Sequence, residues 1–262
     1  MRALNTAATG MLAQQLNVEV IANNIANMNT TAFKRQRAEF QDLLYQTVER
    51  QGASSSAAGT IVPTGVQIGL GVKAGSVYRI TDQGNLEQTG NKFDVAISGK
   101  GYFRIQMPSG EDAYTRAGNF AVNGDGQLST EDGYTVSPGI TLPQDATDVI
   151  INQQGQVQAL TPGNPAPTVV GQLDIVTFFN EGGLDPQGDN LFLESAASGP
   201  ANAGTPGSPG FGTIAQGFIE TSNVNAVQEI TALIAAQRAY EMNSKVITAS
   251  DEMLSTSANL RR

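Results

Sequence analysis

Apolar and small residues recur at spacings of three and four near both ends of the chain. Toward the C-terminus these positions are Ala226, Ile230, Leu233, Ala236, Tyr240, Asn243, Ile247, Ser250, Leu254 and Ala258. No Gly or Pro follows Asn225, a residue type that caps helix N-termini well, so the pattern predicts one helix over 225–262. At 1.5 Å per residue it is roughly 50 Å long. That is longer than the single apolar stripe of a compact domain usually needs, so we expect it to have a partner.

The N-terminal residues carry a heptad pattern that supplies such a partner. Its positions are Leu4, Ala8, Met11, Gln15, Val18, Ala22 and Ile25. This repeat is typical of helices that supercoil, and it predicts a helix from Leu4 to about Asn27. Both patterns are poor in large residues, so burying them yields little hydrophobic free energy. We therefore expect a coiled coil that becomes stable only when several copies pack together.

The predicted subunit-interface residues of the two helices are Leu4, Met11, Val18, Ile25, Ile230, Leu233, Tyr240, Ile247 and Leu254. The alternative is a helical hairpin within one globular core. The roughly 200 residues between the two patterns weaken that alternative, because they predict no other convincing helix.

Those intervening residues predict strands, which gives an α+β fold with an inserted, mostly antiparallel β domain. Phe103, Ile105 and Met107 alternate with polar residues, and 108–110 and 123–126 read as hairpin turns. An extended β connector is predicted from the alternation of Val66, Ile68, Leu70 and Val72. The pattern of 36–49 is mixed and compatible with a helix. The stretch 195–212, dense in Ala, Ser, Pro and Gly, is expected to be a weakly ordered linker.

These elements divide the chain into three predicted domains. They are a terminal helical domain (1–30 plus 226–262), an extended connector domain (31–92 plus 195–225) and an outer β domain (93–194).

Composition removes several classes of chemistry. The chain has no Cys, His or Trp, which excludes disulfides, Cys nucleophiles and His-based catalysis. Residues 51–224 hold six basic against sixteen acidic side chains, which argues against nucleic acid or an anionic membrane as a ligand. No apolar run is long enough to insert in a membrane, and polar residues interrupt any N-terminal signal peptide. A chain that works outside the cytoplasm then needs another export route.

Three short motifs imitate ligand sites, and none is persuasive. Gly69-x-Gly71-x-x-Ala74 has a strand pattern where a nucleotide-binding helix should begin. The run 123–132 has calcium-loop character, but Ala121 stands at the first ligand position. Ser98-Gly99-Lys100-Gly101 lacks the spacing of a phosphate loop. We therefore predict no catalytic, cofactor-binding or metal-binding residue.

Three segments resemble the bacterial flagellar rod and hook family. An Asn-rich N-terminal segment, 23–35, matches one family signature, with Ala32 where the family usually has Gly. Residues 222–245 match a second signature, and 93–103 match the central strand motif. The resemblance extends over essentially the whole chain. The predicted signature residues are Asn23, Asn24, Asn27, Asn29, Thr30 and Phe33.

The resemblance implies a subunit without enzymatic activity or cofactor. Residues 45–49 and 64–72 resemble a connector of one rod member that hook subunits lack. Copies would stack helically into a stiff hollow tube that transmits torque from motor to hook. The implied partners are other copies of the chain, proximal rod and hook subunits, the ring bushing of the basal body and the flagellar export apparatus. The implied location is the flagellar basal body, across the periplasm toward the outer membrane, without a cleaved signal peptide.

Two alternatives stay open from the sequence. One is a sister rod or hook subunit of the same structural class. The other, from a different class, is a surface adhesin or carbohydrate-active β domain on a coiled-coil stalk.

Overall fold

The computed structural model of the chain describes residues 2–49, 65–162 and 164–259. Helices lie at both ends, α1 (Arg2–Ala26) and α2 (Ala226–Asn259), and a single 3₁₀ turn spans Glu181–Gly183. The remaining regular elements are strands, in chain order β1 (Gln36–Asp42), β2 (Tyr45–Glu49), β3 (Val66–Gly69), β4 (Val72–Arg79), β5 (Leu86–Gln88), β6 (Val95–Ser98), β7 (Tyr102–Gln106), β8 (Asp112–Thr115), β9 (Ala121–Val122), β10 (Leu128–Ser129), β11 (Thr135–Val136), β12 (Asp148–Ile151), β13 (Gln156–Thr161), β14 (Asn164–Gln172), β15 (Ile175–Thr177), β16 (Asp185–Gly188), β17 (Leu191–Leu193), β18 (Asn202–Gly204), β19 (Thr213–Gln216) and β20 (Phe218–Glu220).

The predicted order of elements is confirmed: a helix at each end and a mostly antiparallel β region between them. α1 ends in the Asn-rich segment, as expected. α2 begins directly after Asn225, whose Oδ1 accepts hydrogen bonds from the backbone N–H groups of Val227 and Gln228 at 3.1 and 3.2 Å. Asn225 is therefore the N-cap that the sequence predicts.

One compact unit contains α1, α2 and the first four strands, from the described residues of 1–26, 36–79 and 225–262. In it, β1 pairs with β4 and β2 pairs with β3. The expectation of a mixed stretch compatible with a helix at 36–49 is wrong. These residues form β1 and β2, and the first five side chains of β1 alternate between half-buried and exposed, the period of a strand.

The second compact unit contains residues 27–35 and 80–224. Its largest sheet has the strand order β16-β17-β8-β7-β11-β10-β9, and β15 joins β7 to β18. A three-stranded sheet, β12-β13-β14, and the pairs β6–β19 and β5–β20 complete it. The predicted hairpin turns are confirmed between β7 and β8 and between β9 and β10. The core consists of apolar side chains from most of these strands, among them the fully buried Val95, Ile97, Phe103, Ile105, Leu173 and Ile175.

The segment 195–212 is not the weakly ordered linker expected from its composition. Residues 202–204 form β18, which pairs with β15, and the Gly212 N–H donates to the Lys100 carbonyl at 2.7 Å. Ser198 is almost fully buried. Gly and Ser, which fill flexible linkers, also fill tight turns, and here Gly207 and Gly210 take positive φ in such turns. Composition alone could not separate the two cases.

The three-domain division stays a prediction. The predicted connector is described only in part, because residues 50–64 lie outside the described residues.

Candidate assembly surfaces

The two terminal helices pack against one another in antiparallel orientation. Asn24, near the end of α1, donates from Nδ2 to Glu229 Oε2 at 3.1 Å near the start of α2. Gly10, one-third of the way along α1, faces Asn243, and a Cβ added to this glycine would lie 2.9 Å from Asn243 Nδ2. Asn24 and Glu229 are each only 1% exposed. This face therefore combines close backbone approach with one buried polar pair.

The contact face of α1 lies one to two positions before the predicted heptad pattern. Its buried residues are Ala7, Ala13, Val20, Ile21 and Asn24. The predicted interface residues of α1 flank this face and are half-buried, namely Leu4, Met11, Val18 and Ile25.

On α2 the predicted interface residues divide into two groups. Leu233 and Ile247 are half-buried, whereas Ile230, Tyr240 and Leu254 are exposed by 50%, 46% and 41%. Whether any of these residues contacts another subunit stays a prediction.

A second series of apolar side chains runs along the length of α2. We call it the outer stripe. Its residues are all exposed, and they are Val227, Ile230, Ile234, Met242, Val246 and Met253. Beyond Ser250, the last buried residue of α2, every residue from 251 to 259 is exposed. α2 thus offers apolar surface that no described residue of its own compact unit covers.

Most of the apolar side chains of the connector strands are also exposed. Val66, Ile68 and Leu70 are exposed by 47%, 43% and 41%, and Val72 is half-buried. The predicted strand is confirmed over 66–69 and from 72 onward, but it is interrupted at Leu70 and Gly71. Gly71 has φ +123°, and a Cβ there would collide with Thr9 Oγ1 of α1. This glycine lets the connector approach the helix closely.

Asn24 holds α1 to the strand that follows it. Its Oδ1 accepts from the Gln36 N–H and its Nδ2 donates to the Gln36 carbonyl, both at 2.8 Å. Of the other signature residues, Asn27 Oδ1 accepts from Thr30 Oγ1 at 3.1 Å and Phe33 is half-buried. Asn23 and Asn29 are exposed. Part of the N-terminal signature therefore serves the turn after α1.

The N-terminal signature also meets the start of the C-terminal one. The Arg35 N–H donates to Asn223 Oδ1 at 2.7 Å. Asn223 Nδ2 donates to the carbonyls of Ile80 and Asp82 at 3.1 and 2.9 Å. A single amide side chain thus joins three segments that are far apart in the sequence.

The backbone at Ala32 has a conformation that favours glycine. The residue is buried and has φ +57°, a conformation that side chains with a Cβ adopt at a cost. Its N–H donates to the Glu220 carbonyl at 2.8 Å, so the backbone is fixed in that conformation.

A buried ionic network lies beside this turn. Glu220 accepts from Lys34 Nζ at 2.5 Å through Oε1 and from Arg116 Nε at 2.6 Å through Oε2. The three side chains are at most 5% exposed. Lys34 also donates to the Asp82 carbonyl, and Arg116 donates to carbonyls of the 97–101 segment, including that of Gly101 at 2.7 Å. Burial lowers the pKa of Lys34 below its usual 10.5, and the Glu220 carboxylate opposes that shift. No sequence pattern pointed to this network.

The described residues supply little for catalysis or ion binding. Among them, no three Asp or Glu side chains are grouped so that they could hold a metal ion. The 123–126 segment that has calcium-loop character is a hairpin turn in which Asn123 Oδ1 accepts from the Asp125 and Gln127 N–H groups. No helix of the described part is long and apolar enough to cross a membrane.

Comparison with known proteins shows which family the chain resembles. Residues 4–34 match the family model "Flagella basal body rod protein", 96–159 match "Flagellar hook protein FlgE/F/G D1 domain", and 215–260 match "Flagellar basal body rod FlgEFG protein C-terminal". The chain is 65% identical to the flagellar basal-body rod protein FlgG of Caulobacter vibrioides, over the whole length of both chains. The chain belongs to the flagellar basal-body rod protein family. Proteins of the same name from Agrobacterium fabrum and Bacillus subtilis are 57% and 42% identical, again over the whole of both chains.

The family recognised from the sequence is therefore confirmed, and with it the function of a structural subunit of the flagellar distal rod. The three matched ranges contain most of the segments on which the resemblance rests. The family consists of structural proteins of the flagellar basal body. These relatives do not support the adhesin alternative.

Proposed function

We propose that copies of this chain polymerise helically into a straight, hollow shaft that transmits torque from the flagellar motor to the hook. The observation that carries the proposal is the outer stripe of α2. It extends from Val227 to Met253, roughly 40 Å at 1.5 Å per residue. An apolar surface of that length on a charged protein needs a cover. Terminal helices of neighbouring copies are the cover that repeats with every subunit, and they pair as a coiled coil.

The contacts between copies are heterologous, which means that each subunit uses two different surfaces. The outer stripe belongs to one surface, and the half-buried residues Leu4, Met11, Val18 and Ile25 border another. A head-to-tail contact that does not close into a ring extends into a filament. The exposed connector residues Val66, Ile68 and Leu70 add a second contact to a neighbouring subunit.

The position of the subunit follows from the same assignment. The chain lies in the part of the rod that crosses the periplasm toward the outer membrane. It contacts proximal rod subunits at one end and hook subunits at the other, and ring proteins form a bushing around it. It leaves the cytoplasm through the flagellar export apparatus, and it has no enzymatic activity.

Polymerisation of the purified chain tests the proposal. We expect Ile234→Asp to abolish assembly, because it places a charge in a contact that must exclude water. The matched control is Ser244→Asp, which adds the same charge at an exposed polar position of the same helix. Sedimentation should pellet the parent chain and the control but not Ile234→Asp, while circular dichroism shows the same secondary structure for all three. If Ile234→Asp pellets like the parent, the outer stripe is not an assembly surface.

A further inference from the structure

The packing of α1 on α2 leaves the register between the two helices weakly specified by shape. The α1 side of the contact holds Ala7, Gly10 and Ala13. On α2, buried Ala236 is preceded and followed by Ala232 and Ala239, both half-buried. If α2 slid by one helical turn, about 5.4 Å, one alanine would replace another against α1. Hydrophobic packing alone therefore distinguishes poorly between neighbouring registers.

One polar contact does distinguish between them. Asn24 donates to Glu229 at 3.1 Å, and both side chains are buried. Asn24 cannot follow a sliding helix, because two further hydrogen bonds of 2.8 Å tie its amide to the Gln36 backbone. The shift of three residues that brings Ala239 to the place of Ala236 would put Ala232 opposite Asn24, and the shift of four that brings Ala232 there would put Asn225 opposite Asn24. The Glu229 carboxylate would then lose this donor while remaining inside the helix contact.

We propose that Asn24 and Glu229 are positioning residues that set the register of the α1–α2 pair. The Gln36 backbone holds the Asn24 amide in place on α1, and Glu229 is the residue of α2 that accepts a hydrogen bond from it. Gly10 adds a second constraint, since a Cβ at this position would force the Asn243 side chain to move. A buried polar contact that fixes register within an otherwise permissive helix interface is a well-attested role for such groups.

The register determines the surface that each subunit presents, and this step rests on the proposed function. Leu12 of α1 is 67% exposed, and the outer stripe of α2 is exposed as well, so each helix of the pair presents apolar side chains to solvent. A slip of one turn would displace the exposed apolar residues of α2 by about 5.4 Å relative to those of α1. In a helical polymer every subunit repeats that displacement. Correct register in each chain is therefore a condition for a uniform shaft.

Cysteine cross-linking within the full-length chain measures the register directly, because the chain contains no cysteine of its own. The pair Gly10→Cys/Asn243→Cys reports the observed register. The pair Gly10→Cys/Ala239→Cys, which also carries Asn243→Ala so that the Cβ of residue 10 does not collide with Asn243, reports a slip of one turn. Each pair is combined with native Glu229, with Glu229→Leu, which removes the acceptor, or with Glu229→Gln, which keeps an acceptor for Asn24. Oxidation rates are followed in unassembled and in polymerised protein, and gel mobility separates intrachain from interchain products.

With Glu229 or Glu229→Gln, the 10–243 pair should form at least about tenfold faster than the 10–239 pair, the factor expected for one buried hydrogen bond. With Glu229→Leu, that preference should largely disappear while the helical content measured by circular dichroism is retained. If Glu229→Leu keeps the parent preference, the proposal is overturned. Loss of helical content together with both cross-links would also overturn it, because Glu229 would then support helix formation rather than register. If the parent chain does not polymerise, the proposed function fails, while the cross-linking of unassembled chains still decides the register.

Discussion

Lys34 Nζ lies 2.5 Å from Glu220 Oε1, although 186 residues separate the two in the sequence and neither side chain is more than 3% exposed. The same carboxylate accepts from Arg116 and from the Gly84 N–H at 2.9 Å. Glu220 therefore holds together the turn after α1, the β strands and the segment that leads into α2. Its two cations have lost their water and depend on this one carboxylate.

Glu220→Gln should strongly destabilise the unit formed by residues 27–35 and 80–224. Removing the negative charge leaves Lys34 and Arg116 as uncompensated buried cations, which costs about 3–5 kcal/mol in comparable cases. The measurement is the free energy of unfolding from a denaturant titration. Glu131→Gln, which changes an exposed carboxylate, is the control and should change the free energy by less than about 0.5 kcal/mol. Equal stability of the two variants would show that the network is not structural.

The lowered pKa of Lys34 predicts a specific dependence of stability on pH. Because the folded chain releases this proton at lower pH than the unfolded chain, the unfolded state binds more protons between the two pKa values. The contribution of Lys34 to the free energy of unfolding therefore rises with pH, from the lowered folded value up to the ordinary 10.5.

The comparison that isolates this contribution is the parent chain against Lys34→Met. The difference in unfolding free energy between them should shift in favour of the parent as pH rises toward 10. Above pH 10 the raised pKa of buried Tyr114 works in the opposite direction in both chains, since the unfolded state loses that proton first. A pH-independent difference below pH 10 would contradict the assignment.

The sequence predicted those features that depend only on residues adjacent in the sequence. Asn225 as an N-cap and the hairpin turn at Asn123–Gly126 are local, because the residue type dictates the hydrogen bond or the φ angle. The flagellar family was also recognisable, because its signatures are runs of residues. The contact between Lys34 and Glu220 was not, since any of the chain's 24 acidic residues could have paired with Lys34.

The contact at Gly10 is also one that the sequence alone could not predict. In the sequence this glycine is only a weak point of α1, whereas in the structure it is the place where Asn243 packs. The face that α1 turns toward α2 could be predicted only to within one or two positions, because small residues lie on both sides of it. The candidate interface residues therefore remain predictions, although the helices that carry them were correctly identified.

Replacing Ala32 with glycine should lower the free energy of unfolding much less than replacing it with valine. Ala32→Gly should leave the free energy of unfolding within about 1 kcal/mol, because relief of the positive φ offsets the lost methyl group and the greater freedom of the unfolded chain. Ala32→Val should cost more than about 2 kcal/mol, since a β-branched residue tolerates this backbone conformation poorly and the site is buried. Thermal and denaturant unfolding of the two variants provide the comparison. Similar losses for Gly and Val would mean that backbone conformation does not select the residue here.

The connector should control the stiffness of the polymer rather than its formation. Deleting residues 46–63 spares α1 and α2 and removes most of β2, the strand that pairs with β3. We expect the deletion polymer to form but to be curved or flexible, because a contact outside the terminal helices is lost. A chain with Val66→Ser, Ile68→Ser and Leu70→Ser keeps the connector backbone and should show the same defect. Negative-stain images that show both polymers as straight as the parent would remove the connector from the mechanism.

Cryo-electron microscopy of the polymer formed by the unmodified chain tests the central claim most directly. The account predicts a straight hollow tube in which Val227, Ile230 and Ile234 are buried against helices of neighbouring copies. It also predicts that Asn24 still contacts Glu229 within each copy. A tube in which this stripe faces solvent, or a chain that remains unassembled under conditions that pellet its full-length rod relatives, would contradict the account.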